Sequence, residues 1–241
     1  MSSLYLPLSL NFEPRHLVIS TWMDHLPFGY DLVAALRPSC VVELGTYSGL
    51  SFFTFCQSMI ENDVEGIAYA IDTWEGDEHT GNYGDSIFRQ VDDHARDYYR
   101  GISYLLRMRF SEAANQFDKE SIDLLHIDGL HTYDAVREDF ETWYPKVKPG
   151  GIVLFHDIEA RMPGFGVRKF WQELSGINTC FAFTHGYGLG VLKKPGGSRP
   201  LSKLESLLFE GDEETRSNLR KLYVHVGRHI DAMRRVRKQE A

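Results

Sequence analysis

Apolar runs of four to seven residues, each followed by a longer stretch with helical spacing, recur through most of the chain, and this alternation restricts the fold more than anything else. It is the signature of β-α-β units stacked into a parallel sheet with both faces covered. The runs predict strands over Ser39–Leu44, Gly66–Asp72, Ser103–Phe110, Ser121–Asp128 and Ile152–Asp157. Helices are expected over Gly49–Ile60, Ile87–Tyr99, Tyr133–Tyr144 and Val167–Leu174, the third of them stopped by Pro145 and Pro149-Gly150-Gly151. A closing pair, Thr179–Thr184 and Leu189–Leu192, is joined by His185-Gly186-Tyr187-Gly188, a connection expected of an antiparallel hairpin. The sheet therefore ends differently from how it begins.

These segments define one α/β domain over residues 1–194, with a helical lead-in to about residue 37. Pro195-Gly196-Gly197-Ser198 reads as a linker, and two helical patterns complete residues 195–241. With 43% hydrophobic and 25% charged residues, the chain has ample core material and no sign of disorder. A net charge of −8 argues against a polyanion binder, which needs clustered Lys and Arg, so no nucleic-acid partner is expected. Cys40, Cys56 and Cys180 are odd in number, scattered and set in apolar stretches, which suits free thiols in a reducing compartment. No run reaches the ~18 apolar residues of a membrane span, and a cytoplasmic location is expected.

The first strand leads into Glu43-Leu44-Gly45-Thr46-Tyr47-Ser48-Gly49, a Gly-rich turn at the carboxyl edge where open α/β sheets bind ligands. Gly45 and Gly49 let backbone approach a bulky ligand, and Glu43 offers a carboxylate to a cationic sulfonium and amino group. Asp72 closes the second strand, from where a carboxylate can accept both hydroxyl hydrogens of a ribose. A nicotinamide dinucleotide would need G-x-G-x-x-G for its pyrophosphate, and Tyr47 and Leu50 put side chains where bare backbone is required. A cofactor without a diphosphate fits better than hydride-transfer chemistry.

The runs V-V-E-L-G-T-Y-S-G, A-I-D-T-W, L-L-H-I-D-G-L-H-T-Y and P-G-G-I-V-L-F-H-D resemble the class I S-adenosylmethionine-dependent methyltransferases over about residues 30 to 194. More narrowly, they resemble the branch found beside or fused to glycosyltransferases, related to macrolide-sugar O-methyltransferases. The resemblance implies a Rossmann-like, doubly wound seven-stranded sheet with an antiparallel last strand. It implies that Glu43, Gly45, Ser48 and Gly49 line the methionine end of S-adenosylmethionine, Asp72 the ribose, and Ser111 and Glu112 the adenine. The acceptor would be a small molecule or glycan.

Asp128 ends one central strand and His156-Asp157 its neighbour, so oxygen and nitrogen donors converge at one sheet edge. Related metal-dependent O-methyltransferases use acids at the positions of Asp128 and Asp157, which implies magnesium or another divalent cation here. His156 stands where some relatives carry a second acid and is a further candidate ligand. His131, in the loop after Asp128, is the candidate general base for a sugar hydroxyl, and Asp128 borders both cofactor and acceptor. Trp74, His79 and Tyr83 belong to the Gly-rich loop Thr73–Asp85 and read as a lid or sugar-stacking wall, with His185 of the hairpin turn as a more distant acceptor contact. His126, inside its strand, is read as packing. A cofactor-binding module without catalysis is the alternative from another functional class.

From Thr215 to Ala241 the chain carries a net charge of about +6, against about −14 for the remainder. Leu219, Leu222, Tyr223, Val226, Ile230 and Met233 recur at spacings of three and four, an apolar stripe that needs a cover. Its own domain, a second subunit or a partner domain are the candidates.

Overall fold

The computed structural model describes residues 5–77 and 81–240. The predicted strands form one sheet: β1 (Cys40–Leu44), β2 (Ile67–Asp72), β3 (Ser103–Arg107), β4 (Ile122–Ile127), β5 (Val147–His156), β6 (Thr179–Phe183) and β7 (Leu189–Lys193). Their order across the sheet is β3-β2-β1-β4-β5-β7-β6. β1 pairs in parallel with both β2 and β4, whereas β7 lies antiparallel between β5 and β6, the reversed last strand expected from the hairpin. Strand order reverses between β1 and β4, and the loops leaving these two strands frame the crevice where such sheets take ligands.

Two strands differ from expectation. β3 stops at Arg107, because Phe110–Ala113 turns into a single helical turn rather than extending the strand. β5 starts five residues early and carries Pro149-Gly150-Gly151 inside it: the register jumps between Ile122↔Val147 and Leu124↔Ile152, with Gly150 at φ 79°. The glycine pair thus serves as an irregularity in a paired strand, a place where glycine is usual.

The helices are α1 (Leu26–Leu36), α2 (Leu50–Glu61), α3 (Asp85–Tyr98), α4 (Tyr133–Trp143), α5 (Val167–Ser175), α6 (Lys203–Phe209) and α7 (Glu213–Glu240). Alternate residues of the strands feed opposite faces of the sheet. Val41 packs into a core with Leu32, Phe52 and Phe55, while Val42 and Leu44 pack into a second with Val136, Phe140 and Trp171. Leu204, Leu208, Leu219, Tyr223 and Ile230, all beyond the linker, belong to the first core and not to a separate unit. The apolar stripe of α7 is therefore covered by its own domain as far as Ile230, while Met233 stays exposed. Each fully buried side chain of that size contributes roughly 1.5–3 kcal/mol, enough to hold α7 down. Among the described residues no helix is long and apolar enough to cross a membrane, and the three cysteines are unpaired.

Candidate active site

The loop after β1 is built around Asp72. Its Oδ2 accepts the backbone N–H groups of Thr46 (3.0 Å) and Tyr47 (2.8 Å), and its Oδ1 that of Trp74 (2.7 Å). The acid at the end of β2 thereby orders both the cofactor loop and the start of the following one. Gly45 and Gly49 adopt φ 86° and 82°, but what forbids a side chain there is the protein itself. A Cβ on Gly45 would lie 2.1 Å from the Asp128 carbonyl oxygen, and one on Gly49 2.6 Å from the Phe53 ring. Gly45 also lines the cavities that open along this edge. Gly45 lets β1 and the β4 loop approach closely, next to the bond from Asp128 N–H to the Leu44 carbonyl (2.9 Å).

Glu43 is fully buried, and its Oε2 accepts from His126 Nδ1 at 2.8 Å. Trp22 Nε1 donates to His126 Nε2 at 3.2 Å, so the imidazole is held as the Nδ1–H tautomer and its role is structural. Glu43 Oε1 and the Thr46 hydroxyl are both buried without a hydrogen-bond partner, two polar atoms at the mouth of β1 that suit a ligand's amino or hydroxyl group.

A cleft of about 360 Å3 opens along this edge, lined by Gly45, Tyr47, Asp72, Tyr83, Arg109 and Phe110 among others. Its size falls within the range of small-molecule and cofactor sites. Ser111 and Glu112 do not line it. The helical turn carries them to exposed positions and folds Glu112 back to accept from Arg109 N–H at 3.3 Å, leaving Arg109 and Phe110 at the wall. Trp74 is also displaced from its expected place: at 0% exposure, packed on Phe88 and donating to the Tyr47 carbonyl (2.8 Å), it anchors the loop from below. Tyr83 does reach the cleft, edge-on to Tyr47. His79 lies outside the described residues.

A second cavity, of about 280 Å3, adjoins the first and shares Gly45, Tyr47, Asp128 and His131 with it. Its floor is the acid–histidine cluster. His131 Nε2 is 2.8 Å from Asp157 Oδ2 and 3.7 Å from Asp128 Oδ1, while His156 Nδ1 stands 3.3 Å and 3.4 Å from the same two oxygens. Burial opposes charge on both imidazoles, but the two carboxylates outweigh it and hold His131 up at about 9 and His156 at about 10. Burial likewise disfavours the charged carboxylates, yet the imidazoles hold both Asp128 and Asp157 below the usual carboxylate range. His131 is thus cationic at neutral pH when nothing but protein faces it, rather than the near-neutral base expected from its type.

Asp128, His131 and Asp157 each offer a donor atom, and the three atoms lie within 4.8 Å of one another. Two carboxylates and an imidazole fit a divalent cation chemically. His156 Nδ1, at 3.3 and 3.4 Å from the same two carboxylate oxygens, stands beside this set. His156 Nε2 donates to the Gly186 carbonyl (3.1 Å), which fixes that ring beside the acids.

The hairpin's contribution also differs from expectation. His185 packs at a tilt against His25 (4.6 Å between centroids) and faces the N-terminal segment, whereas Tyr187 lines the second cavity. Sequence reasoning missed Arg109, Phe110, Phe165 and the Ile19–Trp22 segment, none of which lies in a recognisable motif. A signal exists for Tyr47, Trp74, Asp157 and Tyr187: all four adopt positive φ, and together they make up most of the non-glycine residues that do so among those described. Such strain tends to collect at functional sites.

Residues 42–158 match the family described as a methyltransferase domain. A much longer protein, y4gI of Sinorhizobium fredii, is 48% identical over 181 residues; these are 75% of the present chain but only 19% of that protein. Among solved structures, the O-methyltransferase TomG of Streptomyces achromogenes, in complex with S-adenosylmethionine, superposes with a TM-score of 0.55 at 16% identity, over 76% of this chain and 83% of its own. The S-adenosylhomocysteine-bound methyltransferase PaMTH1 of Podospora anserina gives 0.54 at 13%, over 71% and 78%, and a methyltransferase of Geobacter sulfurreducens 0.53 at 18%, over 75% and 82%. At such identities the superpositions speak for the fold, and the motif-bearing strands β1 to β5 fall within or across the family match. Residues 42–158 thus match a methyltransferase-domain family, carried on a seven-stranded sheet with a reversed last strand.

Proposed function

We propose that this domain transfers the methyl group of S-adenosylmethionine to a hydroxyl oxygen of a sugar or small glycan, assisted by a divalent cation. The observation that carries the reading is the junction of the two cavities at Gly45, Tyr47, Asp128 and His131, which sets a cofactor-sized cleft against an acid–histidine floor. In the first cavity Asp72, Tyr47 and Tyr83 are placed to address the cofactor. In the second, the carboxylates suit vicinal hydroxyls, and Tyr47, Phe165 and Tyr187 suit the C–H face of a pyranose.

The reaction forms a C–O bond as the C–S bond breaks, turning the sulfonium into a neutral thioether, and the hydroxyl hydrogen leaves as a proton. A cation held by Asp128, His131 and Asp157 would supply Lewis acidity that lowers the hydroxyl pKa. His131 can join that set only as the neutral imidazole. If transfer survives excess chelator, His131 instead takes the proton itself, again in its neutral form. The test is methyl transfer from tritiated S-adenosylmethionine to a panel of methyl hexopyranosides and catechol, with and without Mg2+ and chelator. Transfer to no sugar, or to catechol alone, defeats the acceptor assignment.

A further inference from the structure

We infer that the Ile19–Trp22 segment is the acceptor-facing wall of the second cavity and that Gly227 of α7 is the positioning residue that holds it in place. The inference rests on the proposal that this cavity takes the methyl acceptor. Ile19, Ser20, Thr21 and Trp22 all line it, opposite Met162 and Tyr187. They precede the matched family region, which begins at residue 42.

The segment is clamped from two sides. Inward, Trp22 is buried and donates through Nε1 to His126, which in turn donates to Glu43, so the wall is tied to the strand that leads into the cofactor loop. The Ser20 side chain accepts from Trp22 N–H at 3.1 Å and starts the helical turn Thr21–His25. Outward, that turn meets α7 at Gly227, where a Cβ would stand 2.5 Å from the Asp24 carbonyl oxygen and 3.1 Å from its Cα. A glycine inside a helix is less favourable than alanine. The close approach to the Asp24 backbone explains why it stands there. Val226 and Ile230 bury on either side of it, and Tyr223 donates to Asp31 Oδ2 at 2.9 Å, which fixes the rotation of α7 about its axis.

Ile19 itself is 76% exposed and makes no core contact, while Met162 and Tyr187 across the cavity are 42% and 45% exposed. An acceptor seated between them would cover this apolar rim. The wall is thus the place where acceptor shape is read, and α7 meets it at Gly227.

The experiment compares full-length wild type with Gly227→Ala, Gly227→Val and Ile19→Ser. Amide hydrogen exchange should quicken across residues 19–25 in Gly227→Val, less so in Gly227→Ala, with exchange over residues 43–49 and affinity for S-adenosylhomocysteine within about twofold of wild type. For each methyl hexopyranoside that wild type methylates, Gly227→Val and Ile19→Ser should raise acceptor KM by about fivefold or more with kcat held within about twofold. Unchanged exchange at residues 19–25 in folded Gly227→Val, or a fall in kcat at constant KM, overturns the inference. A wild type that methylates none of the sugars defeats the acceptor assignment instead, and the exchange data still decide whether Gly227 positions the wall.

Discussion

His131 Nε2 reaches Asp157 Oδ2 at 2.8 Å while the imidazole lies flat on the Phe165 ring, centroids 4.5 Å apart and planes 2° from parallel. The ring is held by an acid at its edge and an aromatic on its face, next to the second acid, Asp128. This fixes a donor set before any ligand arrives, which is the arrangement preorganised sites share.

If a cation occupies that set, Asp128→Asn and Asp157→Asn should each reduce methyl transfer by about a hundredfold or more, and excess chelator should do the same to wild type. Affinity for S-adenosylhomocysteine, measured by calorimetry, should stay within a few-fold in Asp157→Asn, since Asp157 lines the second cavity and not the first. Full turnover in chelator would reject the cation and leave His131 as the base.

Asp72→Ala should weaken S-adenosylhomocysteine binding by more than the loss of ribose contacts alone. The carboxylate also holds the N–H groups of Thr46, Tyr47 and Trp74, and charge-assisted hydrogen bonds are worth about 1.5–3 kcal/mol each. Calorimetry should show at least a hundredfold loss, with faster amide exchange at residues 45–48 in the ligand-free protein. Unchanged exchange there would mean that the loop stands without Asp72.

Gly45→Ala should lower stability and acceptor-side function together. Its Cβ would meet the Asp128 carbonyl in a backbone conformation, φ 86°, that L-residues avoid, and such strain costs on the order of 1–3 kcal/mol. At roughly 2–4 °C per kcal/mol for a chain of this size, Tm should fall by several degrees. A variant as stable as wild type would show that the loops separate easily.

Acid should destabilise the fold through its buried histidines. Burial, aided by neighbouring His16, holds His94 down at about 4, and burial with His156 and His185 nearby holds His25 well below its ordinary value. Unfolding returns each to ~6.5. The unfolded chain then binds more protons, so stability is complete above ~6.5 and is lost as pH falls toward about 4. Tm should drop between pH 7.5 and pH 5, and His94→Phe should drop less; equal slopes would exclude His94.

The succession of strands along the chain, the reversed final pair and the acids near the ends of β1 and β2 were legible in the chain because they are local. An apolar run bounded by glycine or an acid declares its strand and where it ends, and the right-handed β-α-β rule does the remainder. What each residue there does was not local. Asp72 orders a loop through backbone groups 25 and 26 residues away in sequence, Gly45 is required by the carbonyl of Asp128, and His131 joins Asp128 and Asp157 in one donor set. Trp74, read as a lid, lies in the core because the loop folds over it. Ile19–Trp22 and Gly227 carry no motif at all, since the contact of Gly227 with the Asp24 backbone joins segments far apart along the chain. Sequence determined the scaffold and the edge at which chemistry gathers; only the packing of distant segments decided which side chains face it, because orientation is set by contacts between residues far apart along the chain.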